Sequence, residues 1–401
     1  MGTMARRGRA KSSSKRSPRK SADQGSSSVS GESLASPNKV AALDLGAVRS
    51  RIDAVDEQLQ LLLNERAKLA QLVGISKHAE GRTVDFYRPE REAQVLQMAL
   101  DRNTGPLRNE EVVRLFREIM SACLAQQEPL KVAFLGPEGT FTQQAVLKHF
   151  GHSVRSLSLP SVDEVFHEVE AGSVDFGVVA IENSTEGMVI NTLDRFLNSS
   201  VKICGEIELR IHHSLMGRMA SLREVQRVCS HQQALAQCRA WLDENLPDAE
   251  RVPVTSNAEG ARRARDEKGT AALAGETAAA VYGLELLAKQ IEDRADNTTR
   301  FFVLGRKLFA PSGQDRTTLL ISVGKTDSPG ALVSLLEPIA NHGITMTRIE
   351  SRPSHKKKWD YVFFVDIVGH CEDRHVAKAL DALKKRASLF RILGSYPRSV
   401  L

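Results

Sequence analysis

The chain is poor in aromatic residues, at 5%, which argues against a stacking surface for single-stranded nucleic acid. Its five cysteines (Cys123, Cys204, Cys229, Cys238, Cys371) are an odd count without a Cys-x-x-Cys pair. Neither a disulfide framework nor a zinc ribbon is therefore expected, and a reducing, cytoplasmic setting is. No apolar run approaches the ~18 residues of a membrane span. No apolar core follows the basic N-terminal stretch, which excludes a secretory signal, and Arg6 stands where a myristoylation motif wants Ser or Thr. What is present is ordinary globular material: 401 residues, 41% hydrophobic and 26% charged, enough for two to three domains.

The net charge of +6 suggests nucleic acid until it is located. Residues 1 to 40 carry nine Lys/Arg against Asp23 and Glu32, a net of +7, so the remaining residues sum to −1. That segment also holds eleven serines and no apolar periodicity. It reads as a solvated, disordered tail that does not fold alone. A transit peptide and upstream sequence are the alternatives. No nucleic-acid or membrane partner is expected of the folded part.

From Ile52 the positions Ile52, Val55, Leu59, Leu62, Arg66, Leu69 and Val73 alternate spacings of three and four, the seam of a long helix packed on other helices. Arg66 sits in that seam, where a guanidinium either snorkels to the surface or meets an anion. Lys77 is eleven residues on, about 20° around the helix and roughly 16 Å along it, so the pair suits two ends of a small dianion. Arg49, about 25 Å from Arg66, reaches such a pocket only from a second subunit. Pro89 opens a second helix, and a third runs from about Asn109 to Gln127, with Cys123 and Gln127 one turn apart.

Over about 85 positions this segment resembles the all-helical chorismate mutases at the N terminus of bifunctional chorismate mutase/prephenate dehydratases. The matching residues are Arg49, Arg66, Lys77, Arg91, Glu92 and Gln127, with Arg88 and Cys123 standing where the family usually has an acid and a serine. The resemblance implies an intertwined helical dimer whose first arginine enters the partner's site. It assigns Arg49, Arg66 and Arg91 to carboxylates, Glu92 to the hydroxyl, and Lys77 with Gln127 to the ether oxygen of chorismate. A pericyclic shift needs no nucleophile, cofactor or metal, only a held conformer and charge stabilisation.

The middle of the chain alternates short apolar strands with helices. Lys131 to Leu135 reads as a strand, Gly136-Pro137-Glu138-Gly139-Thr140 as a turn and Phe141 as a helix start, an arrangement that aims N–H groups at an anion. It is neither a Walker loop nor a dinucleotide fingerprint. Strands are expected at Asp175 to Ile181, Val201 to Ile211, Arg227 to Ser230 and Phe301 to Leu304, giving an α/β fold of two lobes with a cleft between them. Singly, Ser184, Ser230 and Thr299 suit helix caps or turns. The paired His212-His213 has no third ligand at metal spacing.

Together the polar motifs follow the order seen in prephenate dehydratases: Ile181-Glu182-Asn183-Ser184, Ser230-His231 with Gln237-Cys238, Ser256-Asn257-Ala258, Ala271 to Glu276 and Thr299-Arg300-Phe301. Ala180 and Gln232 replace prolines. By that resemblance the fold is periplasmic-binding-protein-like and prephenate is the substrate. Thr299 donates to the departing hydroxyl, and Arg300 anchors a carboxylate or supports the anchor. Glu182, Asn183, Ser184, Ser230, Gln237 and Phe301 belong to the cleft.

The last segment patterns as βαββαβ: strand Thr317 to Gly324, helix Ala331 to His342, strands Ile344 to Arg352 and Trp359 to Val368, helix Glu372 to Arg386, strand Phe390 to Tyr396. Lys356-Lys357-Lys358 decorates a hairpin tip. Gly330-Ala331-Leu332-Val333 and Glu350-Ser351-Arg352-Pro353 are similar to the two motifs of ferredoxin-like ACT regulatory domains, which pair and bind phenylalanine. The whole reads as a tail (1–40), a mutase (41–129), a dehydratase (131–310) and an ACT domain (316–401). The expectation is a homodimer or higher homo-oligomer that needs no cofactor and is inhibited by phenylalanine. A phenylalanine-binding regulator and a dehydratase with a weakened mutase are the alternatives.

Overall fold

In the computed structural model, residues 44–79, 87–323, 329–354 and 361–400 are described, without the side chains of 76–79. The tail, Lys356-Lys357-Lys358 and Asp327-Ser328 lie outside them. The chain divides into two units, Met1–Gln60 and Leu61–Leu401. The described part of the first is the start of α1 (Leu45–Ala79). The helical segment continues with α2 (Pro89–Asp101), Pro89 in its first turn, and α3 (Asn109–Ala125). Along α1 the seam residues Ile52, Val55, Leu59, Leu62, Leu69 and Val73 are all half or more exposed.

The middle segment winds β1 (Lys131–Leu135), α4 (Phe141–Phe150), β2 (Arg155–Leu159), α5 (Val162–Ala171), β3 (Phe176–Asn183), β4 (Gly187–Met188), α6 (Ile190–Asn198) and β5 (Lys202–Arg210). Local chemistry sets the helix ends. Thr140 and Ser161 accept N–H bonds from Gln143 and Glu164 at the starts of α4 and α5, and left-handed Gly172 stops α5. The chain then builds a second lobe from β6 (Ser214–Gly217), β7 (Arg227–His231), α7 (Gln232–Gln237), α8 (Arg239–Asn245), β8 (Glu250–Val254), α9 (Asn257–Asp266), β9 (Thr270–Ala274), α10 (Glu276–Tyr282) and β10 (Glu285–Ala288). It returns as β11 (Thr298–Gly305), between β3 and β5 and antiparallel to both. Two lobes with separate sheets are thus realised, and the cleft lies at the crossover.

The C-terminal segment is β12 (Asp315–Val323), α11 (Ala331–Asn341), β13 (Met346–Pro353), β14 (Tyr361–Val368), α12 (Arg374–Arg386) and β15 (Ala387–Pro397), the expected βαββαβ pattern. Its sheet does not stand apart. The order β13-β14-β12-β15-β5-β11-β3-β1-β2 is one continuous sheet, joined where β15 meets β5.

Two strands outrun their sequence boundaries. β3 continues through Glu182 and Asn183, and β11 begins at Thr298 rather than Phe301. The cross-strand register Thr299↔Asn183 and Arg300↔Glu182 is the reason, because polar residues are drawn into a ladder that local propensity does not announce. None of Ser184, Ser230 and Thr299 is a helix cap: Ser184 is a turn residue whose hydroxyl accepts from the Thr298 N–H at 3.0 Å, and the other two lie within strands.

The seam between β15 and β5 rests on Gly394, which pairs with Ile203. A Cβ at Gly394 would stand 2.2 Å from the Ile203 carbonyl oxygen, so the strands meet only where one lacks a side chain. Gly394→Ala should cost about 2–3 kcal/mol and lower the melting temperature. An unchanged melting temperature would mean that the strands have room to spare there.

Candidate active site

A cavity of about 370 Å³ opens at the crossover between the lobes, the size range of small-molecule sites. Asn183 from β3 and Thr299 from β11 are cross-strand neighbours on its wall, and Gln237, His213 and Asn297 also line it. Their hydrogen bonds form a chain with one consistent direction. The backbone N–H groups of Thr185 and Glu186 donate to Asn183 Oδ1 at 2.9 and 3.1 Å, which fixes the amide so that Nδ2 points the other way. Nδ2 donates to Asn297 Oδ1 and Thr299 Oγ1, both at 2.8 Å. Asn297 Nδ2 and His213 Nε2 in turn donate to Gln237 Oε1 at 3.2 and 2.9 Å.

Two consequences follow. Thr299 Oγ1 is already an acceptor, so its own proton is free to donate into the cavity. His213 is buried and its pKa is lowered by that burial, so it is a neutral donor rather than a cation.

Among the described residues no Lys or Arg lines the cavity. Positive potential comes instead from helix N-termini, where unpaired N–H groups gather. Thr140, Phe141 and Thr142 at the start of α4, and Ser256 and Asn257 at the start of α9, all border it. Ser230 works from behind: its buried hydroxyl lies 2.9 Å from Asn257 Oδ1, which also accepts from the His231 N–H. The Asn257 oxygen is thereby engaged.

Of the expected cleft residues, then, Asn183, Gln237 and Thr299 come together, and Ser230 backs one wall. Arg300 and Phe301 do not line the cavity. Arg300 follows Thr299 on a strand, so its side chain leaves by the opposite face. There it is held by Glu206 (2.8 Å) and Asp366 (2.8 Å). Phe301 is in the core beyond a bulge in the β11 ladder. Glu182 likewise turns away, 3.4 Å from Arg348 of β13. Asn297 had no role in the sequence reading, Asn257 entered it only within a motif and His213 only as a rejected metal ligand, and their partners lie 24 to 114 residues distant.

In the helical segment Arg66 is half-buried on α1, and the Lys77 side chain lies outside the described part. Gln127, just past α3, gives its amide to the Ala70 carbonyl of α1, with Gly74 leaving the space. Cys123 is buried. Arg88 pairs with Glu90 at 2.7 Å. Arg91 and Glu92 diverge. Arg91 is exposed and lines a cavity with Gln94, Gln97 and Arg398, whereas Glu92 turns inward to Arg117 at 3.8 Å. Burial pushes Glu92 up to about 7. In the last segment Gly330 takes the left-handed conformation ahead of Ala331, Leu332 and Val333. On β13, Ser351 and Pro353 are exposed and Glu350 is half-buried. Arg352 is turned onto α6, bound twice to Asp194 at 3.1 Å. Among the described residues no group of three or more potential metal ligands occurs, and no helix is long and apolar enough to cross a membrane.

Three family models match in tandem: chorismate mutase type II over residues 48–128, prephenate dehydratase over 132–308 and the ACT domain over 317–385. The chain is 53% identical over 361 residues to a bifunctional chorismate mutase/prephenate dehydratase of Pseudomonas aeruginosa, covering 89% of this chain and 98% of that one. It is 44% identical to the protein of that description from Aquifex aeolicus, covering 89% and 99%. Among solved structures it is similar to a prephenate dehydratase from Arthrobacter aurescens in complex with L-Phe. That likeness has 36% identity and a TM-score of 0.62, and covers 67% of this chain and 90% of the other.

The helical and middle segments meet at a buried cluster in which Tyr87 contacts His149 Nε2 at 3.0 Å. Burial pushes His149 from 6.5 down to about 3. A folded value below the unfolded one means that the neutral ring's contribution is complete above pH 6.5. It is lost as the pH falls toward 3, about 2 kcal/mol of it between pH 7 and 5. His149→Gln, which keeps a partner for Tyr87, should flatten that slope in urea midpoints taken at the two pH values. Equal slopes in the two proteins would mean that His149 titrates as an exposed imidazole.

Proposed function

The chain belongs to the family of bifunctional chorismate mutase/prephenate dehydratases, and on that footing we propose how its own residues divide the two reactions. Chorismate is rearranged to prephenate at the helical segment, and prephenate is converted to phenylpyruvate in the inter-lobe cavity. The polarised chain ending on Thr299 is the observation that carries this assignment.

Prephenate is a dianion. Its conversion to phenylpyruvate releases CO2 from the ring carboxylate and expels the ring hydroxyl, which leaves as water once it gains a proton. Aromatisation drives the reaction, so the protein must orient the dianion and stabilise the departing oxygen. The N-termini of α4 and α9 are the carboxylate seats, since they supply donors without a counter-charge. Thr299 is the donor to the departing hydroxyl. Asn183 polarises it by donating to its oxygen, and Gln237 and Asn297 keep Asn183 in place. Nothing in this scheme asks for a metal or a cofactor.

For the mutase, Arg66, Lys77, Arg91, Glu92 and Gln127 are the proposed substrate contacts, joined by Arg49 of a second copy. The exposed apolar seam of α1 supports a homodimer, because a helix with such a stripe is stabilised by packing it away. Phenylalanine, bound in the L-Phe complex of the Arthrobacter relative, is the proposed inhibitor at the turn before α11, near Glu350 to Pro353 of β13. A biosynthetic enzyme of this kind fits a cytoplasmic setting.

Thr299→Ala should cut prephenate turnover roughly 10²–10³-fold and spare chorismate turnover. Lys77→Ala should do the reverse. Separate assays of chorismate loss and of phenylpyruvate formation from added prephenate check both. Loss of both activities in either folded variant would overturn the two-site assignment.

A further inference from the structure

The cross-strand pair Thr299↔Asn183, at the cavity, is followed immediately by the pair Arg300↔Glu182. Both members of that second pair are gripped by the C-terminal domain. Arg300 donates to Asp366 of β14 at 2.8 Å and lies 3.3 Å from the Tyr396 hydroxyl of β15. Glu182 stands 3.4 Å from Arg348 of β13. The Arg348 guanidinium also touches the sulphur of Met188, which pairs with Glu182 across the β3–β4 turn and itself lines the cavity.

We propose that Arg300 is a positioning residue of the dehydratase. Through Asp366 it holds Thr299 in register with Asn183, while Arg348 holds the facing strand through Glu182. The C-terminal domain thereby sets turnover in the cavity as well as carrying a regulatory ligand. This inference rests on the reading that Thr299 and Asn183 carry the chemistry.

Strand geometry makes the coupling tight. Neighbouring side chains leave a strand on opposite faces, so pinning one fixes the height and roll of the next. The pin is stiff because it is buried: the side chains of Arg300, Glu206 and Asp366 are 10%, 1% and 4% exposed. Glu206 is shared with Arg316, so it cannot answer Arg300 alone. Two guanidiniums on one carboxylate leave a surplus positive charge that Asp366 neutralises. Asp366 is in turn fixed by the Thr318 hydroxyl at 2.6 Å. Removing the Asp366 charge frees Arg300 to shift, and the adjacent bulge in β11 gives the strand somewhere to go.

Neither Arg300, Asp366, Glu182 nor Arg348 lines the cavity. Loosening them should therefore lower kcat for prephenate without changing KM, since the helix N-termini still seat the carboxylates. In the full chain, Asp366→Ala should lose roughly ten- to a hundredfold in kcat. Asp366→Asn should recover part of it, and Arg348→Gln should lose severalfold. Chorismate turnover in the same preparations should be unchanged, and circular dichroism certifies the fold of the remaining segments. If Asp366→Ala loses both activities by unfolding, Arg348→Gln decides, because Glu182 is 39% exposed and tolerates the change. Wild-type kcat in Arg348→Gln and Asp366→Asn would overturn the inference. So would a raised KM at constant kcat, which would make Arg300 a substrate anchor. If Thr299→Ala itself keeps wild-type turnover, the catalytic reading falls first; if Thr299→Ala is inactive and the other variants are not, only the coupling falls.

Discussion

Two guanidiniums, Arg300 and Arg316, converge on the buried carboxylate of Glu206, and the arrangement is neutral only because Asp366 arrives from the C-terminal domain. A buried ion cluster of this kind adds little net stability over apolar packing, but taking one partner away costs about 3–5 kcal/mol. Its effect is on specificity. The C-terminal sheet is accepted in one register against β5 and β11, where Asp366 and Tyr396 meet Arg300 and Gly394 slides under Ile203. The continuous sheet, the placement of Arg348 and Arg352 against the β3–α6 region, and the orientation of β11 at the cavity all depend on that one docking geometry.

The cavity on the other face of β11 is built on the opposite principle. In the proposed reading it seats an anion on neutral donors, with the Glu186 carboxylate also on its border. Cationic side chains would attract a dianion more strongly, yet they would hold the monoanionic product too and would need desolvation of their own. Helix N-termini and amides are preorganised, do not titrate near neutral pH and fall in strength as the ligand loses charge. One carboxylate leaves as CO2 during the reaction, so such a site grips the substrate better than the product. The direction of the amide chain from the Thr185 and Glu186 N–H groups to Thr299 completes the logic. Both amide protons of Asn183 are spent on protein acceptors, and the threonine proton at the end of that chain is left for the ligand.

The element pattern was legible in the sequence wherever local signals sufficed. The periodicity of α1, Pro89 opening α2, the turn before Phe141 at the start of α4 and the βαββαβ order of the last segment all rest on periodicity or turn chemistry. What escaped was non-local. A strand starting at Phe301 leaves Thr299-Arg300 in a loop, where both side chains are free to face one site. Pairing with β3 and β5 extends the strand to Thr298, and alternation then sends Arg300 the other way. Arg352 is committed to Asp194, 158 residues earlier, and Gln127 to the backbone of α1, 57 residues earlier. Such partnerships have no short-range signature. His213 shows the same limit: a histidine beside another histidine invites a metal reading, and only its distant partner Gln237 identifies it as a neutral donor.

The two catalytic segments also differ in how complete one chain makes them. The inter-lobe cavity has its walls, its donors and its buried support within a single copy. The helical segment does not: α1 leaves Ile52, Val55, Leu59, Leu62, Leu69 and Val73 half or more exposed along its length. Fully burying a side chain of that type is worth roughly 1.5–3 kcal/mol, so an open stripe of six is a large unrealised stabilisation. In the proposed homodimer the second copy would therefore supply two things at once, the apolar surface that covers the seam and the cation that Arg49 brings. Folding of the mutase and assembly of its site would then be a single event, whereas the dehydratase depends on docking within the chain.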